Sequence, residues 1–196
     1  MKQPPIADLY SDYLLASFGA TTATGLSELL EGEISHDQVT RYLAGTKKTA
    51  TDLWRTVKSF VREVQAEQGV LIIDDSIEEK PYTDENDIVC WHYDHSKDRL
   101  LKGINFLTAL YSSQGVSVPV SFHLVAKTEK YTDPKTQQEK RRSPVSKNEV
   151  CRELIKQAVT NRLPFRFVLF DVWFASAENM VFLKHHQHRD FICPLK

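Results

Sequence analysis

The sequence predicts an α/β protein, a mixed β-sheet flanked by helices, behind a small all-helical N-terminal region. Three observations carry that expectation. As far as Gly69, apolar residues recur at three- and four-residue intervals, the spacing of helices that bury one face. From Val70 the pattern changes to continuous β-rich runs that alternate with helical segments. Two of those runs, Val70-Leu71-Ile72-Ile73 and Phe165-Arg166-Phe167-Val168-Leu169-Phe170, each end abruptly in aspartate, at Asp74-Asp75-Ser76 and at Asp171-Val172-Trp173.

The helical region takes residues 1–69. Ile6, Leu9, Tyr10, Tyr13, Leu14 and Phe18 mark the apolar face of a first helix. Gly25-Leu26-Ser27-Glu28-Leu29-Leu30 is a short helix or turn that ends near Gly32. Ser35-His36-Asp37-Gln38 has the spacing of a capping box, with Gln38 reaching back, and the helix it starts stops at Gly45. Short helix, glycine-containing turn and capped second helix form a helix-turn-helix outline. A further helix is expected from about Thr51 to Gln65, with Leu53, Trp54, Val57, Phe60, Val61 and Val64 inward.

Residues 70–196 read as strand, long polar connection, two strands, helix, strand, helix, strand. Gly103 to Tyr111 and Val116 to Ala126 form a hairpin about Ser112-Ser113-Gln114-Gly115. Residues 127–145 are polar and rich in lysine and arginine. Ser146-Lys147-Asn148-Glu149 is a second capping box, opening a helix that ends before Pro164. Ser176 caps a helix from Ala177 to about His186, and Phe191-Ile192-Cys193 makes the last strand. Three strands, a helix and then a strand carrying an acid is the skeleton of a ribonuclease-H-like fold. The first strand is central there and the strand after the first helix pairs beside it, which makes the two strand-end acids neighbours.

Composition sets bounds on function. The chain has 41% apolar and 26% charged residues and a net charge of −1, so a nucleic-acid partner would be met by local basic patches. No run is long and apolar enough for a membrane helix, and Met1-Lys2-Gln3-Pro4-Pro5 lacks the character of a secretory signal. Cys90, Cys151 and Cys193 are odd in number and form no CxxC pair, which suits reduced thiols in a cytoplasmic protein.

Two carboxylates at neighbouring strand ends suit divalent-metal chemistry on phosphates. Mg²⁺ takes oxygen ligands and keeps several waters, and paired ions can stabilise both the attacking and the leaving oxygen of an in-line displacement. Asp75 and Asp171 are the candidates. Asp74 competes with Asp75, since strand neighbours face opposite ways and only one aims at a shared site. The bland alternative is that these acids only start turns, where aspartate is common.

The ordered motifs carry a resemblance. Leu71-Ile72-Ile73-Asp74-Asp75-Ser76 looks like the first catalytic strand of the DDE transposases of bacterial insertion sequences. Trp91-His92-Tyr93-Asp94-His95, followed by Lys102-Gly103-Ile104-Asn105-Phe106-Leu107-Thr108, is similar to a segment of that family. Val168-Leu169-Phe170-Asp171-Val172-Trp173-Phe174-Ala175-Ser176 resembles its second catalytic motif, with Val172 where a small polar residue is expected. The resemblance implies a ribonuclease-H-like core that cuts and rejoins DNA at transposon ends with Mg²⁺ or Mn²⁺. Asp75 matches the first acid and Asp171 the second. The family's third acid is a glutamate in a tyrosine-arginine-glutamate-lysine motif on a later helix, and nothing before Lys196 matches it. Glu149 and Glu178 lie on helices but not in the matching place. The expectation is therefore an N-terminal portion, truncated before the final glutamate helix and catalytically incomplete by itself.

DNA contacts are expected from Gln38, Thr40 and Arg41 on the second helix of the helix-turn-helix, with Lys47 and Lys48 beyond it. Glutamine and arginine suit major-groove base edges and lysines suit phosphates. Lys140, Arg141 and Arg142, with Lys127, Lys130 and Lys135, make a candidate phosphate stripe, although a charge run is also what a solvated loop looks like. His185-His186-Gln187-His188 reads as a polar helix end rather than a zinc site. The expected partner is the double-stranded DNA of terminal inverted repeats, with a homodimer as one assembly. The rival readings are a non-catalytic DNA-binding remnant that inhibits full-length partners, and a simple metal-dependent nuclease.

Overall fold

The structure, a computed structural model, describes residues 5–45, 47–94 and 97–194. Its chain divides into two compact units, Met1–Lys48 and Thr49–Lys196.

Among its described residues the first unit holds three helices, α1 (Ile6–Ala16), α2 (Ala23–Leu29) and α3 (His36–Gly45). Thr22 caps α2 by accepting from the Gly25 N–H at 2.9 Å. The expected capping box opens α3: Ser35 Oγ accepts from the Gln38 N–H at 3.3 Å, and Gln38 Oε1 accepts from the Ser35 N–H at 2.8 Å. The core is small: among the described residues Leu26, Ile34 and Val39 are buried, with Ile6, Leu9, Tyr10 and Tyr13 packed against them. The apolar face expected of α1 is cut short, because the helix ends at Ala16 and both Leu14 and Phe18 are exposed.

The second unit begins with α4 (Ala50–Val64), started by a Thr49–Asp52 capping box. This helix lies with the sheet, where it packs on β4, so the units divide between Lys48 and Thr49 rather than at Gly69. The reason is the stripe of Trp54, Val57 and Val61, which joins the sheet's apolar core. Gly69 instead marks a tight crossing, where an added Cβ would collide with the Tyr111 ring and the Pro164 carbonyl.

The sheet comprises β1 (Val70–Glu79), β2 (Val89–Asp94), β3 (Arg99–Ser113), β4 (Val116–Leu124), β7 (Phe167–Phe170) and β8 (Asp190–Ile192). Its order is β2-β3-β1-β7-β8, with β4 also paired to β3. The β3 strand runs antiparallel to β1, β2 and β4, while β1–β7 and β7–β8 are parallel. That central β1, flanked by an antiparallel hairpin strand and a parallel strand that follows a helix, is the ribonuclease-H-like arrangement. Leu71, Ile73, Leu107, Ala109 and Tyr111 line one face and are fully buried with α5 (Lys147–Thr160), whose Cys151, Leu154, Ile155 and Ala158 point inward. Tyr111 keeps its hydroxyl satisfied there, donating to the Pro164 carbonyl at 2.8 Å and accepting from the Ala66 N–H at 3.1 Å.

Three strands lie in stretches that read as polar connections. Val89–Asp94 is β2, and β5 (Glu129–Thr132) and β6 (Glu139–Arg142) form a separate hairpin within the basic stretch. The hairpin escapes a periodicity reading because its side chains are almost all exposed, so no apolar alternation marks it. After β7 come a 3-10 turn (Val172–Phe174), α6 (Ala177–Val181) and a wider turn of π type (Phe182–His186), which together replace the single helix expected to His186.

Candidate active site

The parallel register of β1 and β7 sets the site. Ile73 pairs with Phe170, so both strands reach the same sheet edge together and deliver Asp74-Asp75 beside Asp171. Within β1 the alternation separates the two acids. Asp75 shares its face with Leu71, Ile73 and Leu107, while Asp74 is exposed and its Oδ1 accepts from the Asp75 N–H at 2.9 Å.

Asp75 is held by two donors from different elements. Asn105 Nδ2 donates to its Oδ2 at 3.1 Å, and Lys147 Nζ forms an ion pair with the same oxygen. Asn105 is completely buried on β3, and its Nδ2 also reaches the Ser76 carbonyl at 3.2 Å. Both of those acceptors require the amide nitrogen on this side, which leaves Asn105 Oδ1 buried without a hydrogen-bond partner. Lys147 is the first residue of α5. A cation there opposes the helix dipole, and the carboxylate it meets supplies the compensation.

Asp171 is built differently. It caps the 3-10 turn, its Oδ1 accepting from the Trp173 N–H at 2.9 Å. Burial raises its carboxyl above the ordinary range against that backbone bond, and the charges of Asp75 and Asp74 push the same way. The turn is tied down by Asn179, fully buried, whose Nδ2 donates to the Phe174 carbonyl and to Asn148 Oδ1, each at 2.9 Å. Arg152 closes the network by donating to Asn179 Oδ1 at 2.7 Å. Asn148 and Arg152 lie on α5, so one helix braces both strand ends.

His92, on β2, is buried and in contact with the buried Cys90, Nε2 to Sγ at 3.3 Å. Burial, then the charges of Lys127 and Lys147, push its imidazole down to about 4, while Asp75 pulls the other way. Burial raises the Cys90 thiol, so the pair is neutral. His95 lies outside the described residues.

These residues fit a hard divalent cation. Among the described residues no group of three or more His, Cys, Asp or Glu could hold a metal. Two carboxylates nevertheless suffice for an ion that retains its waters. Asp75 and Asp171 repel one another, which a cation bound between them would relieve. Glu149 is engaged in the α5 cap and Glu178 is exposed near Arg152 at 3.4 Å.

The other sequence-predicted residues lie elsewhere. In the first unit Gln38, Thr40, Arg41, Lys47 and Lys48 are all exposed. Gln38 is committed to the Ser35 cap, Thr40 Oγ1 donates back to the His36 carbonyl at 2.9 Å, and Arg41 Nε donates to Asp37 O at 3.3 Å. Lys140, Arg141 and Arg142 lie on β6 and are ion-paired, with Asp133, with Glu85 and Asp87, and with Glu129. Trp173 is exposed. All three cysteines are free thiols.

Sequence reasoning missed Asn105, Lys147 and Asn179 as parts of the site. Asn105 carried a signal, being a lone amide on the strand face that otherwise presents Leu101, Leu107, Ala109 and Tyr111. Lys147 carried another, a lysine where helix starts favour acids.

No curated protein matches the chain. Three solved chains do. One, the crystal structure of the Mos1 mariner paired end complex with Mn, is 14% identical with a TM-score of 0.31, the match covering 100% of this chain. This chain spans 61% of the length of that one. The family profile described as DDE superfamily endonuclease matches residues 3–195, running through both compact units and both strand-end aspartates. The chain therefore belongs to the DDE superfamily of endonucleases.

Proposed function

We propose that the chain acts in DNA transposition, as a metal-dependent endonuclease that cleaves and joins strands at transposon ends. The observation that supports this most is the β1–β7 register, which brings Asp75 and Asp171 to one edge. Asp75 and Asp171 would hold Mg²⁺ or Mn²⁺, with Asp74 the alternative to Asp75. The bound ions would supply charge neutralisation at phosphorus and an activated water or 3′-hydroxyl. Lys147 would release Asp75 and, carried at the start of α5, turn toward the phosphate. Asn179 would keep the Asp171 turn aligned with α5.

The two units take different parts in this reading. Residues 1–48 bind double-stranded DNA of the terminal inverted repeats through Arg41, Thr40, Lys47 and Lys48, with Gln38 available only if it leaves its cap. Lys140, Arg141 and Arg142 exchange carboxylate partners for phosphates.

Mn²⁺-dependent nicking of end-sequence duplex tests the proposal. Asp75→Asn and Asp171→Asn are each expected to lower the rate by roughly 100-fold or more, as loss of metal stabilisation worth several kcal/mol requires. Equal nicking by wild type and both variants would refute the site. Salt-dependent binding to the repeats with no nicking by wild type would instead favour the non-catalytic, inhibitory role.

A further inference from the structure

Asp75 is gripped by one of its two oxygens. Asn105 Nδ2 and Lys147 Nζ both meet Oδ2, and among the described residues no donor reaches Oδ1. A carboxylate pinned through one oxygen still has the lone pairs of the other to offer. The two donors that pin it differ in charge, in burial and in freedom to move.

Lys147 is a cation on a long side chain that is 42% exposed. It and a metal ion would compete for the same carboxylate, because like charges at one oxygen repel. Asn105 is neutral and would not repel the ion. It is completely buried on the strand face it shares with Leu107, Ala109 and Tyr111. On β1, Asp75 pairs with Leu107 and Ile77 with Asn105, so Asn105 is the diagonal neighbour of Asp75 on that face. The Asn105 backbone is also fixed from the other side, its carbonyl accepting from the Val125 N–H at 2.9 Å.

The amide itself has no room to turn. Its nitrogen donates to Asp75 Oδ2 at 3.1 Å and to the Ser76 carbonyl at 3.2 Å, which uses both of its hydrogens. A flip would set Asn105 Oδ1 against two acceptor oxygens, so that oxygen stays buried and unpaired. An unpaired buried oxygen is costly, and a leucine at this position would avoid it. Among the described residues one other asparagine is completely buried, Asn179, and it braces the turn that Asp171 caps. Each acid has its own buried amide.

We propose that Asn105 is the positioning residue of the candidate metal site. It holds Asp75 by Oδ2, leaves Oδ1 for the cation, and keeps that hold when the cation displaces Lys147. The assignment rests on the metal-binding reading above and deepens it. Of two donors on one oxygen, one aims the ligand and the other competes with the ion.

Mn²⁺ affinity of the full chain, read by calorimetry or by the free Mn²⁺ resonance signal, separates the two donors by sign. Asn105→Leu keeps the size and removes both N–H groups, and should weaken binding about 10-fold or more, the usual effect of losing a ligand's supporting hydrogen bond. Lys147→Met should tighten binding, and Asn105→Leu should weaken it by a similar factor in the Lys147→Met background. A purely structural Asn105 would move the unfolding midpoint and leave the Mn²⁺ affinity of the folded chain unchanged. A second measurement needs no variant. In the isotope-labelled wild-type chain the Asn105 side-chain amide protons should remain slow to exchange with solvent as Mg²⁺ saturates the site. Wild-type affinity in Asn105→Leu, weaker binding in Lys147→Met, or fast exchange of that amide once Mg²⁺ is bound overturns the assignment and leaves the metal reading standing. No Mn²⁺ binding by wild type, or binding that survives Asp75→Asn intact, overturns the metal reading and the assignment with it.

Discussion

The ends of β1 and β7 are alike in sequence, each an apolar run broken by aspartate, yet they hold their carboxylates in opposite ways. Asp75 is bound from outside, by Asn105 on β3 and Lys147 on α5. Asp171 is bound from within, by the backbone of the turn it caps, and burial and its acidic neighbours raise its carboxyl. One carboxylate sits in a favourable field and the other in an unfavourable one. A cation shared between them would relieve the second and displace the lysine from the first.

The largest effect should come from the brace that joins the two ends. Asn179→Ala removes hydrogen bonds to Phe174, Asn148 and Arg152 in a buried setting and leaves their polar groups unpaired. A loss of about 2 kcal/mol in denaturant unfolding is expected. An unchanged midpoint would show that the turn stands without it.

Next in size is the loss of the outer pairing. Asp75→Asn leaves Lys147 without its carboxylate, in an ion pair whose side chains are 20% and 42% exposed. It should cost about 1 kcal/mol at neutral pH, less in high salt. A stabilised Asp75→Asn would erase the contrast between the two ends.

The smallest effect has the opposite sign. Since the folded state raises the Asp171 carboxyl above its usual 3.8, it favours the protonated form. The stability that group contributes is present below that value and is lost as pH rises through the folded one. Asp171→Asn should therefore raise the melting temperature slightly at pH 7, and the gain should vanish as pH falls below about 4. A variant less stable than wild type at pH 7 would mean that the Trp173 bond outweighs the desolvation.

The sequence made the strand-end aspartates visible because a buried strand shows as an unbroken apolar run, and its end is sharp. The capping boxes at Ser35 and Ser146 were equally visible, since their chemistry is local. What stayed hidden depends on pairing at long range. β2 alternates buried Cys90 and His92 with exposed Trp91 and Tyr93, but polar and aromatic types fall on both faces and blur the pattern. The β5–β6 hairpin buries almost nothing and is held by backbone pairing and ion pairs such as Lys130–Glu139. The boundary after Lys48 was hidden because α4 looks the same in sequence whether its Trp54 stripe meets other helices or a sheet.

Mn²⁺ binding through a double-mutant cycle tests most directly whether Asp75 and Asp171 serve one cation. Wild type, Asp75→Asn, Asp171→Asn and the double variant would be titrated by calorimetry or by the Mn²⁺ resonance signal. Either single substitution should remove most of the binding, about 10-fold or more, and the double variant should lose little beyond that. Losses that simply add, or single variants that bind Mn²⁺ as wild type does, would contradict a shared site at the ends of β1 and β7.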